Sequence, residues 1–322
     1  MSKKALIVGI DDYPECTLKG CVSDATEIAS LLERNENGTK NFDVLCEKNI
    51  KTKDLLLQRI KELFSQNDDI ALLYFSGHGS KNDGNEYICT PDYSHSFPGV
   101  KLSDILEIVN NSHCKNKVVI LDSCFSGGLG QTPFTGDKAI LSKGTTILSA
   151  CRNNESSIET NGHGLFTYLL IGALKGGAAD LLGHITPGAI YAYIDKALSS
   201  WNQRPVFKTN VEEFVSFRDV KPAIELSDLK SLSILFPEKS NSINLNPSFE
   251  FTNNPQTKHE YIKPYSTKEN IDKFKILQRL ERVGLVEPVN EEHMYFAAMH
   301  SESCRLTTLG MYYKNLSQTN RL

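Results

Sequence analysis

His78 and Cys124 are the residues best suited to covalent chemistry in this chain of 322 residues. His78 stands in Leu72-Leu73-Tyr74-Phe75-Ser76-Gly77-His78-Gly79. Cys124 stands in Val118-Val119-Ile120-Leu121-Asp122-Ser123-Cys124-Phe125-Ser126-Gly127. Each segment is an apolar, β-favouring run stopped by small residues and one reactive side chain. Strands buried on both faces of a parallel sheet read this way, and ligands bind beyond their carboxyl ends. The two strands are therefore expected to bring an imidazole and a thiol to one sheet edge. A thiol beside an imidazole becomes a nucleophile near neutral pH, because the thiolate is the attacking species. Cysteine is commonly a small buried hydrophobe, but Cys124 sits where a strand breaks into Ser126-Gly127-Gly128. Gly77 and Gly79 leave His78 unshielded and allow close backbone approach. The expected chemistry is that of a cysteine protease.

The surrounding elements must hold these two groups. Residues 5–10 read as a first buried strand, and 20–33 as a helix with an apolar stripe of Val22, Ala25, Ile28, Ala29, Leu31 and Leu32. A strand is expected over 42–46, and an amphipathic helix over 52–64 opened by a capping threonine. After the His78 strand comes a loop rich in Asn, Asp and Gly, then a helix over 102–110 and the Cys124 strand. Residues 126–144 read as a long loop, 145–150 as a strand, and 165–174 and 187–198 as helices. Val206-Phe207 and residues 214–217 look like closing strand pieces. Strands alternating with helices indicate βαβ units and a mostly parallel α/β sheet flanked by helices.

Composition fits an ordinary globular protein, with 40% hydrophobic and 23% charged residues. A formal net charge of −4 gives no reason for sequence-independent nucleic-acid binding. The eight cysteines show no CxxC pair, which favours reduced thiols in a cytoplasm over a disulfide framework. No apolar run approaches the ~18 residues of a membrane span, so no membrane partner is expected. The catalytic part is read as residues 1–222, divided into 1–130, a processing loop 131–144, and 145–222. A linker or irregular segment over 223–264 precedes a small α+β module, winged-helix-like, over 265–322. In that module a helix is followed by a hairpin, whose second strand is read at 294–299, and a last helix over 307–316. Its basic residues are nearly balanced by acids, so an unidentified protein partner is favoured over nucleic acid.

Four segments in order resemble the caspase-like superfamily, most closely its metacaspase and bacterial orthocaspase branch. They are Leu18-Lys19-Gly20-Cys21-Val22-Ser23-Asp24-Ala25, Ser76-Gly77-His78-Gly79, Asp122-Ser123-Cys124-Phe125-Ser126-Gly127 and Ser149-Ala150-Cys151-Arg152-Asn153-Asn154-Glu155-Ser156-Ser157. His78 precedes Cys124 by 46 positions, near the roughly 50 typical of caspases. The caspase pentapeptide around the cysteine is absent, and Asp122-Ser123-Cys124 replaces it.

The resemblance implies a Cys124–His78 dyad without a named third member, and an oxyanion hole from the backbone N–H groups of Gly79 and Cys124. It also implies an acidic pocket for the residue before the cut, lined by Cys21, Asp24, Ser76 and Asp122, which suits arginine or lysine. Arg152 leaves open the opposite, aspartate-specific reading, and a silent caspase-shaped scaffold is the alternative from another class. Lys81-Asn82-Asp83-Gly84-Asn85-Glu86 offers only two carboxylates, so no obligate calcium site is expected, nor any other cofactor. The remaining histidines, His163 among them, are read as surface or packing residues, with no zinc. Self-cleavage is expected after Lys138 or Lys143. By analogy of architecture, such an enzyme suits a regulated effector of bacterial stress, cell-death or anti-phage systems.

Overall fold

The computed structural model describes residues 1–322 except 95–97, 124–139, 151–158, 161–162, 199–204, 212, 238 and 259–260. Cys124, Lys138 and Arg152 therefore lie outside the described residues. The chain divides into two units, Met1–Lys221 and Pro222–Leu322.

The first unit begins with β1 (Lys3–Gly9), α1 (Cys21–Glu33), β2 (Asp43–Lys48), α2 (Lys53–Phe64) and β3 (Ile70–Ser76). Next come the short strands β4 (Gly79–Asn82), β5 (Asn85–Ile88) and β6 (Val100–Lys101), then α3 (Leu102–Asn110) and β7 (Asn116–Asp122). After β8 (Thr145–Ser149), two-residue strands β9 (Glu159–Thr160) and β10 (His163–Gly164) lead into α4 (Leu165–Gly172). The unit closes with β11 (His184–Ile185), α5 (Pro187–Leu198), β12 (Val206–Asn210) and β13 (Arg218–Asp219).

Six strands form one sheet in the order β12-β8-β7-β3-β1-β2. All neighbours are parallel except β12, which runs antiparallel to β8. Period-2 alternation sends side chains of the central strands to opposite faces. Ile70, Leu72 and Tyr74 of β3 and Val118 and Ile120 of β7 pack with α1, α4 and α5. Ala71, Leu73 and Phe75, with Val119 and Leu121, pack with α2 and α3. Both faces are buried, which explains why these strands read as unbroken apolar runs. Each buried Val, Leu, Ile or Phe among them contributes about 1.5–3 kcal/mol relative to exposure.

The same parity decides what lies beyond the apolar runs. Ser76 continues the Leu72–Tyr74 face and Asp122 the Val118–Ile120 face, and the two are cross-strand partners. Two polar residues thus share the α1/α4 face at the carboxyl end of the sheet.

Two stretches of this unit differ from the sequence reading. The loop expected after His78 is a hairpin of β4 and β5, closed by Asp83 and Gly84 at φ 48° and 75°. That is the two-residue Asp-Gly turn, which matches strand twist without needing apolar alternation in the flanks. Residues 214–217 are not a strand. Val215 and Phe217 are buried in the α1-side core, and the pairing with β11 is made by β13 instead.

The second unit carries α6 (Leu226–Leu235), β14 (Ser242–Asn244), α7 (Lys268–Arg282), β15 (Val286–Pro288), α8 (Met294–Met299), β16 (Ser303–Leu306) and α9 (Thr308–Gln318). Residues 223–264 thus contain a helix and a strand of this unit. Its sheet runs β14-β16-β15, antiparallel. Residues 294–299, read as a strand, are the short helix α8. Met294, Ala297, Ala298 and Met299 are buried, the first three at i, i+3, i+4 spacing and all good helix formers. Leu229, Leu232, Phe274, Leu277, Leu280 and Leu285 form a core of its own. Buried Asp228 takes a two-pronged ion pair from Arg279 at 2.6 and 2.8 Å.

Candidate active site

β3 ends at Ser76, and His78 follows two residues later, where Gly77 permits a tight approach. The Gly77 N–H donates to the Asp122 carbonyl (3.3 Å), tying the end of β3 to the end of β7. A Cβ on Gly77 would lie 2.5 Å from the Tyr13 hydroxyl, so only glycine lets Tyr13 reach the histidine. Tyr13 accepts the His78 backbone N–H (3.0 Å) and donates its own proton to the Cys89 carbonyl (3.1 Å). Its ring meets the imidazole edge-on, with centroids 4.5 Å apart. Burial, above all, pushes the Tyr13 hydroxyl pKa up, so it stays protonated and keeps donating.

The imidazole is fixed at its far nitrogen as well. Nε2 lies 2.7 Å from the Cys16 carbonyl, an oxygen that can only accept. Nε2 therefore carries the proton, and in the neutral ring Nδ1 holds the free lone pair. This backbone carbonyl fixes the ring at a position for which sequence reading named no residue. Beside the ring opens a cavity of about 340 Å³, lined in part by Tyr13, Cys16, Gly79, Ser80 and Tyr93. The Cys89 N–H donates to the His78 carbonyl (2.8 Å), so Gly79 and Ile88 form the next, non-hydrogen-bonded pair. The Gly79 N–H accordingly faces away from β5.

The four residues expected to line an acidic pocket come together on the α1/α4 face. Asp24, in the first turn of α1, is 1% exposed, Ser76 2% and Asp122 5%. The Ser76 hydroxyl donates to Asp24 Oδ2 (3.3 Å). Asp122 Oδ2 accepts the hydroxyl (2.6 Å) and N–H (3.3 Å) of Thr167, whose oxygen in turn contacts the Tyr74 hydroxyl at 2.6 Å. Burial pushes the Asp122 carboxyl up to about 6, with the nearby Asp24 charge adding to it and the Thr167 hydroxyl opposing. Burial likewise raises Asp24, against the His163 hydrogen bond. The Cys21 thiol is raised chiefly by burial, with Ser76 opposing and the Asp11, Asp122 and Asp24 carboxylates adding.

His163 is the correction here. Read from sequence as a surface or packing residue, it places Nδ1 2.5 Å from Asp24 Oδ1. Its partner is 139 positions away, so no local spacing could announce it. His184 and His300 likewise face Asp180 and Glu291, at 3.3 and 2.7 Å. Lys143 is described: its side chain is exposed and its carbonyl accepts from the Lys117 ammonium. Among the described residues no group of three or more His, Cys, Asp or Glu side chains is placed to hold a metal ion. No helix among them is long and apolar enough to cross a membrane.

A sequence model described as the caspase domain matches residues 2–215. Among solved structures, protein GSU0716 from Geobacter sulfurreducens is similar at a TM-score of 0.51 and 19% identity, over 69% of this chain and 98% of that one. Caspase-1 from Spodoptera frugiperda gives 0.49 and 14%, over 68% and 91%. The Drosophila initiator caspase Dronc gives 0.47 and 15%, over 68% and 82%. No curated protein matches the chain. The first of these structures, at 19% identity, bears on the fold alone. The caspase-domain match supports a cysteine peptidase acting on protein substrates. Covering more than half of its length, it means that the chain belongs to the caspase-domain family.

Proposed function

We propose that this chain is a cysteine endopeptidase of the metacaspase or orthocaspase type, cutting proteins after arginine or lysine through Cys124 and His78. One observation supports the specificity: two carboxylates, Asp24 in the first turn of α1 and Asp122 at the end of β7, are buried on the same face as Ser76, two residues before His78. Buried carboxylates call for a cation, and a guanidinium can be gripped by both.

The thiolate of Cys124 attacks the scissile carbonyl carbon, and the oxyanion is held by the N–H groups of Gly79 and Cys124. Each such donor is worth on the order of 3 kcal/mol in the transition state. Collapse to a thioester breaks the C–N bond, and the imidazolium of His78 protonates the departing amine. The neutral imidazole then takes a proton from water, which attacks the thioester and releases the acid and the thiol. Nε2–H anchored on the Cys16 carbonyl leaves Nδ1 to make both transfers.

The loop between β7 and β8 serves as a self-cleavage segment, and the second unit as a protein-contacting, regulatory module. Such a pairing suits a regulated cytoplasmic effector of stress, cell-death or anti-phage responses, on analogy of architecture. Fluorogenic peptides with Arg, Lys or Asp before the reporter test the central claim. The Arg and Lys peptides turn over fastest, and Cys124→Ala abolishes turnover. Faster turnover of the Asp peptide overturns the specificity.

A further inference from the structure

His163 and Gly164 lie directly over the two carboxylates that the proposed specificity needs. The His163 ring donates to Asp24 Oδ1 at 2.5 Å, the shortest contact that carboxylate has. Its other hydrogen bonds among the described residues, from Ser76 and from the Gly164 N–H, are long at 3.3 and 3.4 Å. Gly164 is pressed against the second carboxylate: a Cβ there would lie 2.4 Å from Asp122 Oδ2. The dipeptide therefore fills the space in which a guanidinium would meet both acids.

The position of His163 in the fold makes this seat a replaceable one. It belongs to β10, a strand of two residues that among the described residues pairs with β9 alone, and its side chain keeps 18% exposure. Its second nitrogen faces another acid: Nε2 is 3.7 Å from Glu27 Oε2, one turn further along α1. Glu27 also holds Lys175 at 2.7 Å. A ring leaving Asp24 thus has a carboxylate waiting on the solvent side. By contrast, Asp122 is served by Thr167 in the first turn of α4, which is fully buried and faces no second carboxylate among the described residues.

We propose that His163, carried with Gly164, is a removable plug of the acidic pocket: the ring occupies Asp24 until an arginine or lysine side chain of the substrate displaces it toward Glu27. This rests on the basic-residue specificity proposed above. A substrate must break the His163–Asp24 hydrogen bond before it can bind, which raises KM and leaves the chemical step alone. Weakly held basic side chains are excluded, and those anchored by further contacts along the cleft are admitted.

The test compares wild type with His163→Ala and His163→Gln on arginine, lysine and aspartate peptides. Removing a hydrogen bond to a buried charge lowers KM for the arginine peptide roughly tenfold or more in the Ala variant, with kcat within about twofold. The Gln variant, which keeps a donor for Asp24 and so guards against misfolding, gains less. In a Cys124→Ala background, benzamidine binds the His163→Ala protein more tightly by the same factor. In the His163-intact protein it shifts the imidazole 15N resonances of His163. Arginine peptides cleaved with KM unchanged or raised in both folded variants overturn the plug while leaving the specificity standing. Benzamidine bound without a His163 shift does the same. Preference for the aspartate peptide by wild type overturns the specificity itself, and the plug with it.

Discussion

Asp122 is a buried carboxylic acid that takes hydroxyl and amide donors from Thr167, and among the described residues no cation pairs with it. Its carboxyl is pushed up to about 6, burial being the main cause, whereas in the unfolded chain it titrates near 4. Between those values the folded protein keeps a proton that the unfolded chain gives up. The contribution of this group to stability is therefore fully present below about pH 4 and is lost as pH rises through about 6. The difference is on the order of 3 kcal/mol. Urea unfolding at pH 4, 5, 6 and 7 measures it, and Asp122→Asn flattens that part of the profile. An unchanged slope in the variant would show that the group ionises freely. Binding of a basic side chain carries the opposite sign: the ionised acid is what holds it, so KM for arginine peptides falls as pH climbs through 6.

At the scale of elements, the loop between β1 and α1 sets both halves of the site. Its start is clamped by Asn49, whose side-chain oxygen accepts the N–H groups of Asp11 and Asp12. Its end is clamped by Leu18, whose N–H donates to the Asp11 carbonyl at 2.9 Å. Between those points it delivers Tyr13 and the Cys16 carbonyl to His78. The Asp11 carboxylate then accepts the Cys21 and Val22 N–H groups at 2.9 and 3.3 Å. It does so at the N-terminus of α1, where the Gly20 cap offers no side chain. A carboxylate there satisfies orphan donors and complements the helix dipole. Asp11→Ala should cost about 1–2 kcal/mol of stability. It should also raise KM for arginine peptides, since Asp24 sits in the first turn of α1. Thermal unfolding with steady-state kinetics checks this, and a loss of stability with KM unchanged would separate the cap from the pocket.

Elements with strong periodicity were legible from sequence at this same scale. α2, α3 and α5 fall within a residue of the predicted spans, because their apolar stripes and the Thr52 cap announce them. The buried parallel strands were legible as apolar runs for the reason given by their two-faced burial. β4 and β5 were not: before Tyr87 and Ile88 their residues are glycine or polar, and only the Asp83-Gly84 pair could have signalled the hairpin. Of the candidate site, Cys21, Asp24, Ser76 and Asp122 were named from the family resemblance alone, and the parity that sets Ser76 and Asp122 on one face appears only with the strand register. The Cys16 carbonyl was not, because a backbone oxygen carries no residue type. His163 was missed because its partner is distant in sequence and the β9–β10 hairpin is too short to show a pattern.

At the scale of the molecule, a cut between β7 and β8 would divide one sheet between two chains. The first fragment would keep β7, β3, β1 and β2, and the second β8 and β12. β7 and β8 share five register pairs, from Lys117–Thr145 to Leu121–Ser149. β8 also sends Ile147 into one core and Leu148 into the other. Separation would expose both cores, so the nicked protein stays together in gel filtration and parts only in denaturant. The site of the cut follows from what holds the segment's far end. The Lys143 carbonyl accepts from the Lys117 ammonium, and the Gly144 N–H donates to the Asn210 carbonyl at 2.7 Å. The Gly144 carbonyl in turn takes the Lys117 N–H at 2.8 Å. A peptidase must draw its scissile bond into the cleft as a free extended segment, and the 143–144 bond would first have to leave both neighbouring strands. We expect self-cleavage after Lys138, abolished by Lys138→Gln and unaffected by Lys143→Gln, as read by mass spectrometry of the purified protein. A cut after Lys143 would mean that these strand-end contacts open readily. A cut after Asp137 would instead mean that the pocket accepts acids, because only an aspartate-specific site would pass over the lysine beside it.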